Sequence, residues 1–187
     1  MSEFSRLKKI LTWAKMSITV LAITVATPTS GSEDRAFGFK MAKAQQQQTK
    51  VLERQLACLA RNVFYEANGE PMAGQMAVAQ VTVNRARSGL FPRDLCAVVA
   101  QTTIVGGDTK VCQFSWYCDS DLNKTRVIKS SETSYIAAKS VFLEGKKVAN
   151  IDKDVMWFHE TSIKVNPRWP HKVATKIGNH VFYKRQK

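Results

Sequence analysis

Two carboxylates, Glu66 and Glu70, stand four residues apart in LARNVFYEANGEPMAGQ (Leu59 to Gln75). On an unbroken helix that spacing puts both on one face. Asn68 and Gly69 lie between them and predict a helix end, and Pro71 suits the first turn of a new helix. The break gives the pair different expected chemistry. Glu66 closes an apolar helix beside Phe64 and Tyr65, and a carboxyl enclosed by such neighbours has its charged form disfavoured and its pKa raised. That property suits a general acid for glycoside cleavage, because a glycosidic oxygen leaves poorly until it is protonated. The competing reading is a helix-end glutamate facing solvent. Glu70, at the start of the next element, can accept backbone N–H bonds and favours the helix dipole, both of which keep it ionised. It reads as a brace of the turn or as a group that orients a sugar.

A second chemical cluster is Gln113-Phe114-Ser115-Trp116-Tyr117, an amide, three aromatics and a hydroxyl. Sugar rings stack their apolar faces on aromatics, while amides and hydroxyls grip their edges. The same aromatics could instead fill a core beneath a loop, and the ambiguity extends to Trp157, Phe158, Trp169 and Tyr183. Other chemistries find little support. The three histidines, His159, His171 and His180, form no H-E-x-x-H, and the cysteine spacings match no zinc pattern. No metal and no cofactor are expected. Neither G-x-S-x-G nor a P-loop occurs. His159 remains a candidate to orient substrate.

The elements that must hold these groups are mostly helical. Apolar residues at Leu52, Leu56, Leu59, Ala60, Val63 and Phe64 recur with helix period. Met72, Met76, Ala79, Val83 and Ala86 continue a stripe that Gly89 and Pro92 end. A short helix is expected over Asp94 to Gln101, then an irregular region from Thr102 to Lys129. Ser130 or Ser131 caps another helix running to about Leu143, stopped by Gly145. Val155 to His159 and His180 to Tyr183 read as short strands. The expectation is therefore a mainly α fold with a small β element, compatible with two lobes and a cleft, folding over residues 51–187.

The 187 residues carry 28 Lys and Arg against 15 Asp and Glu, a net charge of +13. That balance points to an anionic partner: nucleic acid, a membrane face or an anionic wall polymer. Lys8, Lys9 and Lys15 precede the apolar run Met16 to Thr27, the basic-then-apolar layout of an export signal. Residues 1–30 thus read as a signal or a weak membrane anchor touching the inner membrane through residues 8–28. A buried amphipathic helix is the alternative. Residues 31–50, with Gln45 to Gln48 in a row, read as a polar linker or the exposed start of a helix. Four cysteines fit an oxidising compartment. Cys112 and Cys118 are close enough to staple a loop, leaving Cys58 to join Cys96, and the alternative is four reduced, buried thiols. No nucleic-acid motif accompanies the basic charge, and an export signal argues against that partner.

These segments resemble, in order, a family of cell-wall hydrolases that includes the catalytic domain of spore-cortex-lytic enzymes. The resemblance rests on Leu59 through Pro71, Gly74-Gln75 with Val78-Ala79, and Val83-Asn84-Arg85. It continues through Phe91-Pro92, Cys96, Val98-Val99 and Cys112-Gln113-Phe114-Ser115. It closes on His159, Val165, Pro167, Trp169 and Ile177 to Tyr183, so that it covers roughly residues 52 to 183. It implies a lysozyme-related fold, cleavage of peptidoglycan glycan strands, and a catalytic acid at the first glutamate of the E-A-x-G-E segment, here Glu66. The family often has Arg where this chain has Asn68. The implied reaction is lytic transglycosylation giving 1,6-anhydro-MurNAc ends, with a hydrolytic muramidase or glucosaminidase as the alternative. Without a separate wall-binding region, the chain looks like a compact monomeric lysin, exported or phage-encoded and endolysin-like, held at the inner membrane and released to the periplasm. A non-catalytic wall- or nucleic-acid-binding protein is the competing class.

Overall fold

The computed structural model describes residues 33–119, 131–166 and 169–185. The expected export signal or anchor over residues 1–30, together with Ser130 and Pro167, lies outside the described residues. Among the described residues no helix is long and apolar enough to cross a membrane. The chain from Lys43 onward forms one compact unit, separate from the portion that precedes it.

Helix α1 spans Glu33–Ala67. Of the readings open for residues 31–50, the helical one holds from Glu33, and the helix stays exposed from Arg35 to Arg54. Its apolar positions become buried only where the stripe Leu56, Leu59, Ala60 and Val63 begins. The helix ends where the chain turns at Gly69, whose φ of +94° a side chain would resist.

Helix α2 (Met72–Arg87) starts immediately after Pro71 and is buried on nearly every side from Gly74 to Arg85. It packs against α3 (Leu95–Val99), α5 (Glu132–Phe142) and β3 (Val155–Glu160). A helix surrounded by protein needs no polar face, so its buried polar side chains must find partners inside. Gln80 receives an N–H from Val148 at 2.7 Å and donates to the Ile151 carbonyl. Asn84 donates to the carbonyls of Asp152 and Val155 at 2.7 and 3.0 Å. Arg85 Nε donates to the Met156 carbonyl at 2.7 Å. The polar residues of α2 therefore dock the segment from Val148 to Met156 and fix where β3 begins.

Of the region expected to be irregular from Thr102 to Lys129, the described part forms regular elements up to Cys118, and residues 120–129 lie outside the described residues. Strands β1 (Thr102–Val105) and β2 (Thr109–Cys112) form an antiparallel hairpin paired from Thr102–Cys112 to Val105–Thr109. Gly106 and Gly107 supply the positive φ of its turn. A short helix, α4 (Ser115–Cys118), follows. Ser131 caps α5 by accepting the Ser134 N–H at 3.2 Å.

The second sheet has three antiparallel strands in the order β3-β5-β4, with β4 at His171–Ile177 and β5 at His180–Arg185. Strand β4 is an addition to the two strands expected there. Its burial is too irregular for a clean alternating pattern, and a bulge lies between Val173 and Thr175.

The main core joins α1, α2 and α5 with Ile151, Val155 and Phe182. A second core holds Val98, Val99, Phe114 and Trp116, with Tyr65, Phe91 and Phe158 packed on it. Disulfides Cys58–Cys96 and Cys112–Cys118, with Cα separations of 5.2 and 5.7 Å, form the pairing expected from spacing. The first ties α1 to α3 and the second closes the loop from β2 to α4. Closing a 38-residue separation stabilises the fold by about 4 kcal/mol in the chain-entropy picture.

Candidate active site

Glu66 stands one residue before the end of α1, next in sequence to Tyr65, which packs on the second core. Burial pushes its carboxyl from 4.5 up to about 7; the Arg85 guanidinium pulls it down, and the negative charge of Glu160 pushes it up further. Desolvation wins over the cation, so the carboxyl keeps its proton well above the usual carboxylate range.

Arg85 explains part of that balance. Its side chain is buried and lies over two rings, 5.3 Å from the centroid of Phe91 and 5.0 Å from that of Phe114. Burial lowers its pKa from 12.5 to about 10 against the opposing pull of Glu66, so it remains charged at neutral pH. Nε is committed to Met156, whereas Nη1 is buried without a hydrogen-bond partner among the described residues. A charged donor left open beside a carboxyl is poised to hold that carboxyl when it ionises.

The neighbouring ring system is built from α1 and α4. Tyr65 stacks on Trp116 with centroids 4.6 Å apart, and Arg61 lies 5.1 Å over the Trp116 ring. Trp116 donates its indole N–H to Asn62 Oδ1 at 3.0 Å, and Asn62 donates to Thr82 Oγ1 at 3.2 Å. This buried relay locks α4 to α1 and α2 and fixes the wall beside Glu66. The buried Tyr65 hydroxyl has no partner among the described residues.

Burial divides the aromatic cluster that the sequence offered for sugar binding. Phe114 and Trp116 are 2% and 6% exposed, so they support the wall and present no face to a sugar. Tyr117 is half-buried, edge-on to Trp116 at 5.7 Å. Gln113 and Ser115 are exposed on either side of Phe114, where a substrate could meet them.

The sheet supplies the opposite wall. Phe158 packs between Phe114 and Phe182, at centroid distances of 6.4 and 5.7 Å. Two residues on, Glu160 shares that face of β3 and pairs across the strands with His180. His180 is buried, with Nδ1 unpartnered among the described residues, and burial lowers its pKa despite Glu70 and Glu160 nearby. It is therefore neutral at pH 7. His159 goes elsewhere. Its ring bonds the Tyr183 hydroxyl and the Glu160 carbonyl, each at 2.7 Å, and lies against Trp169 and Tyr183 on the far face of the sheet. The structure does not bring His159 to Glu66.

Glu70 is held by the β4–β5 turn. Its Oε2 accepts the Asn179 backbone N–H and its Oε1 the Asn179 side-chain N–H, both at 3.0 Å. The turn is a two-residue loop between the paired Ile177 and His180, with Gly178 at φ +58°. A Cβ on Gly178 would lie 1.9 Å from Glu70 Oε2, so only glycine lets the carboxylate dock. Gly178→Ala is expected to evict Glu70 and strain the turn, lowering stability by about 1–3 kcal/mol in thermal unfolding. Glu70→Gln, which keeps the shape but loses one acceptor, should cost less stability and leave most turnover. Abolished turnover with an unchanged melting temperature would show that Glu70 takes part in the chemistry.

Sequence reasoning missed Arg85, Glu160 and His180 as members of the site. A signal for Arg85 was available: Gln75, Gln80, Asn84 and Arg85 interrupt an otherwise apolar helix that has no solvent face to give them. Among the described residues no group of three His, Cys, Asp or Glu is placed to hold a metal ion.

Comparison with known proteins gives a consistent picture. Residues 69–183 match the family model described as Cell Wall Hydrolase. That stretch starts just after Glu66 and takes in α2, the hairpin, the second sheet as far as Tyr183 and the Glu70 clasp. The spore cortex-lytic enzyme of Bacillus subtilis (strain 168) is 26% identical over 125 residues, 66% of this chain and 35% of that protein. The chain thus spans about a third of the length of that curated relative. Among solved structures, the catalytic domain of the germination-specific lytic transglycosylase SleB from Bacillus anthracis superposes with a TM-score of 0.54 at 24% identity. The match covers 70% of this chain and 93% of that one. The catalytic domain of the Bacillus cereus SleB protein gives 0.53 at 22% identity, covering 71% and 91%. At these identities the structural likeness establishes the fold.

Proposed function

The chain belongs to the Cell Wall Hydrolase family, and on that premise we propose that it cleaves the glycan strands of peptidoglycan with Glu66 as the catalytic acid. The observation that carries the reading is the half-buried Glu66, whose carboxyl desolvation raises to about 7 while the cation of Arg85 and the anion of Glu160 both act on it. Glu66 donates its proton to the oxygen linking MurNAc to GlcNAc. As that bond breaks, positive charge develops on the MurNAc ring, and the carboxylate of Glu66 is left beside Arg85, whose open Nη1 receives it. The C6 hydroxyl of the same MurNAc then attacks the anomeric carbon and gives its proton back to Glu66. A 1,6-anhydro end results, and the acid is regenerated.

One carboxyl can perform both proton transfers, and Glu70 is an unsuitable second one because Asn179 occupies both its oxygens. Glu160 supports a second reading, hydrolysis. Its exposed carboxylate faces Glu66 electrostatically and could activate a water in a two-carboxylate arrangement. Mass analysis of muropeptides released from purified sacculi separates the readings. Anhydro-MurNAc ends are expected. Reducing MurNAc ends would assign a muramidase and reducing GlcNAc ends a glucosaminidase. Retention on sacculi without products would make the protein a binder. An exported site of action fits this chemistry, since the N-terminal pattern and the paired cysteines both suit the oxidising cell envelope.

A further inference from the structure

At the opposite end of β3 from Glu160 the surface is concave and basic. One hollow is lined by Ser88, Asp154 and Met156 with Lys172, Lys184 and Arg185. A second shares Ser88, Asp154 and Met156 with the first and adds Arg87, Lys147 and Lys153. A third continues past Lys147 and Lys153 to Gln80 and Ile151. The shared walls join them into one elongated groove. Six cations line it, against Asp152 and Asp154. Asp152 is engaged, accepting the Asp154 N–H at 2.8 Å and lying 3.9 Å from Lys184. Among the described residues no carboxylate forms an ion pair with Arg87, Lys147, Lys153, Lys172 or Arg185. Like charges gathered around a concave surface repel one another unless an anion enters, and the hollow focuses their field.

We infer that this groove binds the acidic peptide stem of the strand being cut, through the carboxylates that the stem carries. The inference rests on the glycan reading of the Glu66 site. Reach supports it. From Val155 to Glu160 the strand spans about 17 Å. An extended stem of about five residues reaches roughly the same distance. A stem branching from the sugar at Glu66 can therefore run along the sheet to the groove. Lysine suits this task, since a mobile ammonium meets a carboxylate without demanding one orientation. The polymer is thus read twice, by its sugar at Glu66 and by its stem about one strand length away.

The test uses the full chain and the variant Lys147→Gln/Lys153→Gln/Lys172→Gln, three exposed lysines outside the acid site. Turnover is measured on glycan strands bearing stems and on strands stripped of stems by an amidase. On stem-bearing strands the variant should raise KM about tenfold with kcat within a factor of two, and on stripped strands it should match the parent. Equal KM changes on both substrates, or none on either, would overturn the assignment. Retention of the Glu66→Gln protein on the two kinds of strand supplies a second readout independent of turnover. Stem-bearing strands should retain it more, and adding the three lysine substitutions should remove the difference. Vesicles of anionic phospholipid form the control arm. Lysine-dependent binding to them, with no discrimination between the two strands, would assign the groove to lipid headgroups and overturn the stem proposal. Failure of the glycan reading would appear separately, as a parent protein that cuts neither kind of strand, while turnover that survives Glu66→Gln would overturn only the assignment of the acid.

Discussion

Replacing Glu66 with Gln should lower kcat on peptidoglycan by about 10³-fold or more while leaving the fold intact, because the amide keeps the shape and cannot give up a proton usefully. The same substitution should stabilise the protein at neutral pH, and the sign follows from the direction of the shift. The folded-state pKa of Glu66 is about 7 against 4.5 for the free side chain. A carboxyl raised in this way costs nothing below 4.5, where it is protonated in both states. As pH rises from 4.5 to 7 the unfolded chain ionises freely while the folded one resists, and stability is lost. The total amounts to up to about 3 kcal/mol. Gln carries no such penalty. The melting temperature of Glu66→Gln should therefore exceed that of the parent at pH 8, and the gap should close below pH 4.5. A variant that loses activity and stability together at pH 8 would instead mark Glu66 as a structural group.

Arg85→Met should also have a large effect, and one of a different kind. Methionine fills similar space against Phe91 and Phe114, and it relieves the cost of a buried cation. The bond to Met156 is lost, so a moderate stability loss of about 1–3 kcal/mol is expected. The chemical effect is larger. Without the guanidinium the pKa of Glu66 rises above 7, since Arg85 is the group that pulls it down. The carboxylate left after proton donation also loses its donor, and kcat should fall by about 10²-fold. The alkaline limb of the pH–rate profile should move to higher pH. A limb that stays in place or moves to lower pH would show that Arg85 does not sense the charge on Glu66. Arg85→Lys keeps the charge and should return the limb part of the way, which a merely structural arginine would not require.

The helical framework was legible because its punctuation is local. Gly69 ends α1, Ser131 caps α5, and the apolar stripes run at helix period. The split between Glu66 and Glu70 could be read for the same reason. The hairpin after Thr102 was not legible, because Ile104, Val105 and Val111 are exposed and no alternation marks a buried face. Strand β4 hides behind a bulge. The partners of Glu66 were hidden by a different cause. Arg85, Glu160 and His180 come from three elements that meet only through the docking of β3 on α2, a long-range event that no local pattern announces. Phe114 and Trp116 show the converse. Their residue types fit sugar stacking, but the Asn62 relay and the aromatic core claim them for the wall. Asn68, at the position often Arg in the resembling family, is exposed, and nothing in the structure explains it.

On the function proposed, a single carboxyl, Glu66, holds its proton near neutral pH and delivers it to the glycan. The most direct measurement follows the Glu66 carboxyl carbon by NMR in protein labelled at glutamate, assigned by its absence in Glu66→Gln, beside the pH dependence of kcat/KM on soluble glycan strands. A titration near pH 7 that coincides with the alkaline limb of activity is expected. A Glu66 carboxyl that titrates in the ordinary range, or an activity limb that bears no relation to it, would rule out Glu66 as the acid.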